Sequence, residues 1–484
     1  MRNLLKPLTQ NLLRTRSSKY VSFLILFILA LAFSGCGKDE LSVITDPSGG
    51  GSAALDDDPD RVDWEAAVKY VFDAAVSPEI HLSLSQEEWD RLVALYDADS
   101  NTQEYVHCDV RYDKAGETSV IPDAGLRLKG NTSRRRPEHH DGRKRHIHFG
   151  LDFHHYQADP AHTLKGLRKV DLKWFKDDPA YVREVFCYDL FRRFGVWTAI
   201  RDVYARLWVQ VGDGPETYYG VYGLLEHVDK NFVRIRKKEF GDKGGNLWKC
   251  RYGATLGSVN ADMGVDDNRS SHTYELKTNK EEGFPAAKAQ LQDFIQNLCA
   301  RNGSDFDAWI VTVMDVDLLL RTYAVNVAVG MWDDYWANSN NYYLYFNSTD
   351  PAAYKVFFIP YDYDNTLGTS NSMDAGRQDP YHWGRTDCPL MVKVLQNSVW
   401  KAKYRAYLRE LCLGSGIMSP SAAQARLRQW QASISAFVRN DTGEDMVIAD
   451  APASWGNHGE YRLFSGGSSA NWFEVKAAVV NAMK

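Results

Sequence analysis

The chain has 484 residues, of which 44% are hydrophobic and 13% aromatic, so it can bury one large core or two smaller ones. Its 57 basic and 63 acidic residues give a formal net charge of -6, which argues against general electrostatic binding of nucleic acid. We therefore expect a folded protein that does not have nucleic acid among its partners.

Residues 1–35 are typical of a lipoprotein signal peptide. Basic residues from Arg2 to Lys19 precede the apolar run VSFLILFILALAF, which Ser34, Gly35 and Cys36 follow. The run is shorter than the roughly 20 residues of a membrane-spanning helix, and small residues before a cysteine indicate lipidation. We expect cleavage before Cys36 and anchoring of that acylated cysteine in a lipid bilayer. An uncleaved membrane anchor is the alternative, and both place the body outside the cytoplasm.

The segment from 36 to 60 predicts a flexible tether, because DPSGGGSAALDDDPD has too little apolar surface to fold. Gly37, rather than aspartate, follows Cys36, as in lipoproteins sent to an outer membrane. We therefore expect an extracytoplasmic cell-envelope protein, at an outer membrane or the cell surface. Six cysteines lie beyond the anchor, and their wide spacing leaves disulfides and buried free thiols equally open.

Residues 61–484 are predicted to form the folded body. Ser85 is a candidate N-cap for a helix that carries Trp89 and Leu92 on one face, after an alternating segment at 80–84. The segments VHCDVRY, DAGLRLKG and IHFGLDF alternate between apolar and polar residues, which predicts an antiparallel sheet with long loops.

The later segments are richer in helical patterns. An amphipathic helix is predicted from Asp178 to Phe194, with Pro179 in its first turn. Two strands, VYARLWVQV and TYYGVYGLLEHV, follow it, and DVDLLLRTYAVNVAVG predicts a buried helix before two more strands. The C-terminal quarter reads as helical. The fold class is therefore α+β, with a sheet-rich N-terminal half and a helix-rich C-terminal half arranged as two lobes.

The densest polar cluster surrounds two predicted strands near the middle of the second half. Asp333 and Asp334 begin it, three asparagines precede YYLYF, and Asp362 and Asp364 follow FFIPY. Phosphoryl transfer needs a proton acceptor and Mg²⁺ ligands close together, and kinases place these residues in the same order. Oxygen ligands favour Mg²⁺ or Mn²⁺ over zinc. Turn capping or structural Ca²⁺ binding is the alternative for such residues.

Six motifs in order resemble the CotH (spore-coat protein H) family of atypical kinases: GLRLKGNTS, LRKVDLKWFKDDPAYVREVFCYDLFRRFGV, GVYGLLEHVDKNFV, NNYYLY, IPYDYDNTLG and PLMVKVLQN. The resemblance spans about residues 78–412 and leaves 413–484 as a helical extension. It implies an atypical two-lobed protein-kinase-like fold that uses ATP with Mg²⁺ or Mn²⁺ to phosphorylate a protein substrate, with serine-rich proteins favoured.

The resemblance also implies roles for individual residues. Asp333 is similar to the catalytic aspartate, with Asp334 as second choice. Asn341, directly before a strand, is preferred over Asn338 as a metal ligand. Asp362 resembles the aspartate that holds the metal, and Asp364 supports it or binds a second ion.

Further residues are candidates for the nucleotide site. Lys144 is preferred as the nucleotide lysine over Arg127, Lys129 and Arg145, and Glu184 is expected to pair with it, a surface glutamate being the alternative. Glu226 is expected at the adenine edge.

Another class of function stays open beside the kinase. A non-catalytic surface adhesion or glycan-binding lipoprotein with the same fold would use some of the 14 tryptophans and 26 tyrosines to stack on sugars. No HExxH or GxSxG motif supports a zinc or serine hydrolase.

Overall fold

Twelve strands build two sheets in the part of the chain that the structure describes. This computed structural model describes residues 64–159, 161–265, 272–369, 371, 373–452, 461–465 and 470–484, so the signal peptide, Cys36 and the tether lie outside the described residues. In chain order the strands are β1 (Glu79–Leu84), β2 (Val106–Lys114), β3 (Glu117–Lys129), β4 (His148–Asp152), β5 (Lys169–Lys173), β6 (Asp202–Val211), β7 (Thr217–Glu226), β8 (Asn246–Cys250), β9 (Met263–Val265), β10 (Tyr274–Leu276), β11 (Tyr342–Phe346) and β12 (Val356–Pro360).

Thirteen α-helices accompany these strands within the described ranges. They are α1 (Trp64–Val71), α2 (Gln86–Ala98), α3 (Arg183–Arg193), α4 (Lys230–Ile235), α5 (Lys237–Phe240), α6 (Phe284–Ala300), α7 (Gly303–Val313), α8 (Val316–Val329), α9 (Tyr335–Asn338), α10 (Pro389–Val394), α11 (Ser398–Cys412), α12 (Pro420–Ile434) and α13 (Trp472–Ala482). None of the helices in the described residues is long and apolar enough to cross a membrane.

The first seven strands close into a barrel in the order β1-β2-β3-β4-β5-β7-β6. Neighbouring strands are antiparallel except β1 and β6, which run parallel with Leu82 opposite Val209. The predicted antiparallel sheet is therefore correct for most pairs but omits the parallel pair that closes the barrel. Ser85 caps α2 as predicted, since its hydroxyl accepts a hydrogen bond from the Glu88 amide at 3.1 Å.

The second sheet has five strands in the order β12-β11-β8-β10-β9 and packs among the helices of the second half. Buried hydrophobic residues form two clusters, one inside the barrel and one around this sheet and its helices. The mixed α+β composition agrees with the sequence prediction. The five-stranded sheet makes the second half less purely helical than its sequence suggests.

Helix α3 begins five residues later than predicted. Asp178 is 5% exposed, and its Oδ2 accepts hydrogen bonds from the amides of Val182 at 2.7 Å and Arg183 at 2.8 Å. The same carboxylate forms an ion pair with the guanidinium of Arg183, which is 1% exposed. Asp178 thus holds the segment before the helix as a turn, and Pro179 lies in that turn rather than in the helix.

The buried helix α8 agrees with its prediction and ends where the polar cluster begins. Asp315 caps its N-terminus, and Gly330 ends it in the left-handed conformation with φ 69°. A Cβ added to Gly330 would lie 2.2 Å from a ring carbon of Trp472. Only glycine therefore allows the chain to turn from α8 into the loop that carries Asp333.

The six cysteines of the described residues are all free thiols, and five of them are buried. Of the two arrangements left open by the sequence, buried thiols are the one observed. These cysteines are Cys108, Cys187, Cys250, Cys299, Cys388 and Cys412.

Replacing Asp178 with alanine should destabilise the fold. The change removes the acceptor for three amides, those of Ala180, Val182 and Arg183, and leaves the buried Arg183 without its carboxylate, so we expect a loss of about 3–5 kcal/mol in the free energy of unfolding. Denaturant unfolding measures it, with Asp178→Asn as the control that keeps an acceptor oxygen and loses less. A change below about 0.5 kcal/mol, as for ordinary surface positions, would contradict this role.

Candidate active site

Lys173 at the end of β5 is the centre of the site. The residue is 8% exposed, and its Nζ lies 2.7 Å from Glu184 Oε2, 2.7 Å from Asp362 Oδ1 and 3.4 Å from Asp364 Oδ2. Strand β5 lies between β4 and β7 and buries Val170 and Leu172 in the barrel core. The alternation of a strand then places Lys173 on the opposite side from these two residues.

The pKa values of these four groups depend on their burial and on one another's charges. Burial alone would lower the pKa of Lys173, but the charges of Asp362, Asp364 and Glu184 raise it well above its usual value. Burial raises the pKa of Glu184, and Lys173 acts against this. Burial also raises the pKa of Asp364 to about 8. For Asp362, burial alone would raise the pKa, but the charge and hydrogen bond of Lys173, together with the charges of Lys129 and Lys249, lower it.

Helix α3 positions both sides of this cluster. Glu184 lies in its first turn and is 6% exposed, so the alternative of a surface glutamate is wrong. One turn further, the hydroxyl of Tyr188 accepts a hydrogen bond from the Asp362 amide at 2.9 Å. Asp362 itself has φ 63°, a left-handed conformation that non-glycine residues rarely adopt and that is found at functional sites.

Asp364 offers an oxygen that suits a hard cation. Its Oδ1 is buried and has no hydrogen-bond partner within the described residues, although such atoms are usually paired. Carboxylates of Asp362 and Asp364 are the ligands that Mg²⁺ and Mn²⁺ prefer. In the described ranges no three His, Cys, Asp or Glu side chains are already arranged as a metal cluster, so amide or substrate oxygens would complete the coordination.

Asp333 accepts hydrogen bonds from three asparagine side chains. Asn340 Nδ2 lies 3.1 Å from its Oδ1, Asn341 Nδ2 lies 2.9 Å from its Oδ2, and Asn338 also donates to Oδ1. Asn341 additionally donates to the Asp333 carbonyl at 3.1 Å and has φ 52° directly before β11. Burial raises the pKa of Asp333, the Asn338 and Asn340 hydrogen bonds oppose this, and the nearby charge of Asp362 adds to the rise.

Asp334 faces the interior of the protein instead. It is 3% exposed, caps α9 by accepting from the Ala337 amide at 2.7 Å, and accepts from Asn326 Nδ2 at 2.7 Å. Burial raises its pKa to about 7. These contacts give Asp334 a structural role in shaping the loop, and they leave Asp333 as the carboxylate nearer Asp362.

The structure does not bring Lys144 to Glu184. Lys144 Nζ lies 3.1 Å from Glu138 Oε2 and 4.0 Å from the centre of the Trp89 ring, in the basic loop before β4. The lysine that pairs with Glu184 is Lys173, within the quoted motif VDLKWF. Its position at the end of an alternating strand just before the Glu184 helix was the available signal.

Two of the other predicted cations lie near the site. Lys129 Nζ is 2.5 Å from Asp171 Oδ2 and 2.9 Å from the hydroxyl of Tyr361, the residue before Asp362. Arg127 donates to the Tyr105 hydroxyl at 3.1 Å and to Gln103 at 2.8 Å, so its guanidinium is already engaged by the segment that precedes β2.

Glu226 is held in a buried ion pair instead of lying free at the edge of a nucleotide site. It is 1% exposed, and Arg236 binds both of its carboxylate oxygens, at 2.6 and 2.7 Å. Its amide donates to the Arg201 carbonyl at 2.9 Å. The expected contact with a nucleotide is therefore not available from this side chain or this amide.

The site combines a buried Lys–Glu pair, two carboxylates suited to a divalent cation and a third carboxylate held by amides. A family described as CotH kinase protein matches residues 126–462, which include every one of these groups and more than half of the chain. The matched segment begins and ends later than the motif resemblance of 78–412. No curated protein matches the chain. The chain belongs to the CotH kinase protein family.

Proposed function

We propose that the protein is an atypical extracytoplasmic protein kinase that transfers the γ-phosphate of ATP to protein hydroxyl groups with Mg²⁺ or Mn²⁺. The observation that carries the proposal is the ammonium of Lys173, which Glu184 holds beside Asp362 and Asp364. Kinases need a lysine fixed by a helical glutamate, a metal-binding aspartate and a proton acceptor. Here the third requirement is met by Asp333, which lies near Asp362.

Asp362 and Asp364 would hold the divalent cation, with the Asn341 amide oxygen as a further ligand. The Asn341 nitrogen is occupied by Asp333, which leaves its oxygen for an ion. Asn338 also donates its nitrogen to Asp333, and its oxygen is the second choice. A bound cation neutralises the charge on the phosphates.

Asp333 acts on the acceptor. It orients the acceptor hydroxyl and takes its proton as the acceptor oxygen forms a bond to the γ-phosphorus. The bond between that phosphorus and the bridging oxygen breaks, and its electron pair leaves with ADP. Three donated amide groups fix the carboxylate, so it needs little reorganisation at the moment of transfer. The raised pKa of Asp333 suits a base, because it increases the affinity for the proton.

The kinase-like two-lobed arrangement is part of this proposal. The two buried hydrophobic clusters support it. Lys173 ends the strand β5, whose apolar residues belong to the barrel cluster, whereas Asp333 follows α8 and Asp362 follows β12, whose apolar residues belong to the other cluster. We further propose that acylated Cys36 anchors the body to a bilayer of the cell envelope, at an outer membrane or the cell surface. Protein substrates, with serine-rich proteins favoured by the family resemblance, would be met there.

Replacing Lys173 with methionine should abolish phosphotransfer, while Lys144→Met should leave it near the wild-type level. Asp333→Asn and Asp362→Asn should each lower it at least about a hundredfold, since each removes a group that acts in the transition state. Incorporation of ³²P from γ-³²P-ATP into a serine-rich acceptor, with Mg²⁺ or Mn²⁺ and with chelator, measures this with residues 60–484.

Lys144→Met is the matched control because Lys144 is a partly buried lysine that pairs with Glu138 and not with Glu184, Asp362 or Asp364. Equal losses in both lysine variants would contradict the assignment of Lys173. Absence of both labelling and nucleotide binding by calorimetry in the wild type would favour the adhesion or glycan-binding alternative.

In a plot of kcat/KM against pH, the fall in activity on the acidic side should have its midpoint above about 3.9, the usual pKa of an aspartate. Asp333 works deprotonated, and its raised pKa keeps it protonated to higher pH, so kcat/KM should fall as pH falls through that raised value. Asn340→Ala removes a hydrogen bond that lowers the pKa and should shift the midpoint to higher pH. An unshifted midpoint in this variant would exclude Asp333 as the titrating base.

Replacing Cys36 with alanine in the full chain should move the protein from the membrane fraction to the soluble fraction. Acylation requires the cysteine thiol, and the acylated cysteine is the proposed link to the bilayer. Metabolic labelling with a fatty-acid analogue, followed by fractionation, measures both steps. Labelling retained in the alanine variant would contradict Cys36 as the acylated residue.

A further inference from the structure

Lys249 is a half-buried lysine close to the candidate active site that no role described so far includes. It lies on β8 and pairs across the sheet with Tyr343 of β11. Its Nζ lies 5.9 Å from the centre of the Tyr343 ring and 5.6 Å from that of the Tyr361 ring. Because Tyr361 directly precedes Asp362, the ammonium of Lys249 lies next to the cation-binding carboxylates.

Three lysines therefore surround Asp362, but they differ in their partners. The charges of Lys173, Lys129 and Lys249 all act on its carboxylate. Lys173 is paired with three carboxylates and Lys129 with that of Asp171. Lys249 makes ring contacts and no ion pair within the described part of the chain.

This difference matters for binding a polyanion. Two ammonium groups facing four carboxylates leave little positive charge for a triphosphate, even when a divalent cation is added. Among these three lysines, Lys249 is the one that forms no ion pair with an acidic side chain of the described residues. An arriving phosphate group can therefore bind it without displacing an existing ion pair.

The surroundings of Lys249 favour an anionic ligand. Burial lowers its pKa to about 7, the charges of Arg251, Lys277 and Lys129 act in the same direction, and Glu275 opposes them. Glu275 is itself engaged by Arg251 at 2.8 Å. A phosphate beside Lys249 would relieve the repulsion among these cations.

We propose that Lys249 is a phosphate-binding residue of the nucleotide site, where its ammonium contacts a phosphate group of the triphosphate beside the Tyr361 ring. This inference rests on the kinase function proposed above. An acidic side chain of the acceptor protein would offer similar chemistry. The contact with Tyr361 and the proximity to Lys129 favour the nucleotide, because both residues adjoin the Lys173 and Asp362 cluster.

The test measures binding of ATP, inorganic tripolyphosphate and adenosine by calorimetry with Mn²⁺, together with ³²P transfer. Lys249→Met should weaken binding of ATP and tripolyphosphate about ten- to a hundredfold, as for loss of a charged hydrogen bond, and leave adenosine binding unchanged. Lys249→Arg should restore most of the affinity. Lys401→Met is the matched control, because Lys401 is also half-buried and lies 4.2 Å from the centre of a tyrosine ring, that of Tyr381.

The outcomes separate this inference from the function on which it rests. Wild-type labelling and nucleotide binding with unchanged tripolyphosphate affinity in Lys249→Met would overturn the role of Lys249 and leave the kinase intact. A higher KM for an acidic acceptor alone would assign Lys249 to the acceptor and overturn the nucleotide contact. A wild-type protein that binds neither ATP nor tripolyphosphate would overturn both. Circular dichroism confirms that each variant is folded.

Discussion

One buried ammonium group, that of Lys173, joins parts of the chain that are distant in sequence. It contacts Glu184 on α3 and two carboxylates that follow β12, 189 and 191 residues further along. Removing a charged group from water is costly, and a buried ion whose partner is lost destabilises a protein strongly. The barrel strand, α3 and the segment after β12 therefore have to be assembled together for the buried charges of Lys173 and Glu184 to be tolerated.

Helix α3 carries this constraint from the core to the site. Arg183 donates to the Thr366 carbonyl at 3.1 Å, and Tyr188 holds the Asp362 amide, so the helix grips the segment on both sides of Asp364. The late start of α3, which Asp178 imposes, determines which residues face that segment. A helix beginning at Pro179 would leave the Val182 and Arg183 amides inside the helix instead of capped by the carboxylate of Asp178. The capping turn is thus also a device that positions the site.

Local patterns in the sequence predicted much of the fold and the polar half of the site. Ser85, the buried helix α8 and the grouping of Asp333 with Asp362 follow from spacing and strand order alone. The expected pairing of Lys144 with Glu184 is wrong, because Lys144 pairs with Glu138 in the folded chain and the ammonium of Lys173, at the end of the strand before α3, reaches Glu184 instead. Burial of Glu226 likewise depends on Arg236, whose guanidinium reaches it only in the folded chain.

The same physical effect divides the carboxylates of the site into different chemical roles. Asp362 and Asp333 are neighbouring carboxylates, yet the pKa of Asp362 falls because Lys173 is beside it, whereas that of Asp333 rises because burial outweighs the hydrogen bonds that its neutral amide partners donate. The lowered pKa of Asp362 keeps it ionised and ready to hold a cation, whereas the greater proton affinity of Asp333 suits a base. The assignment of ligand and base therefore follows from the partners of each group.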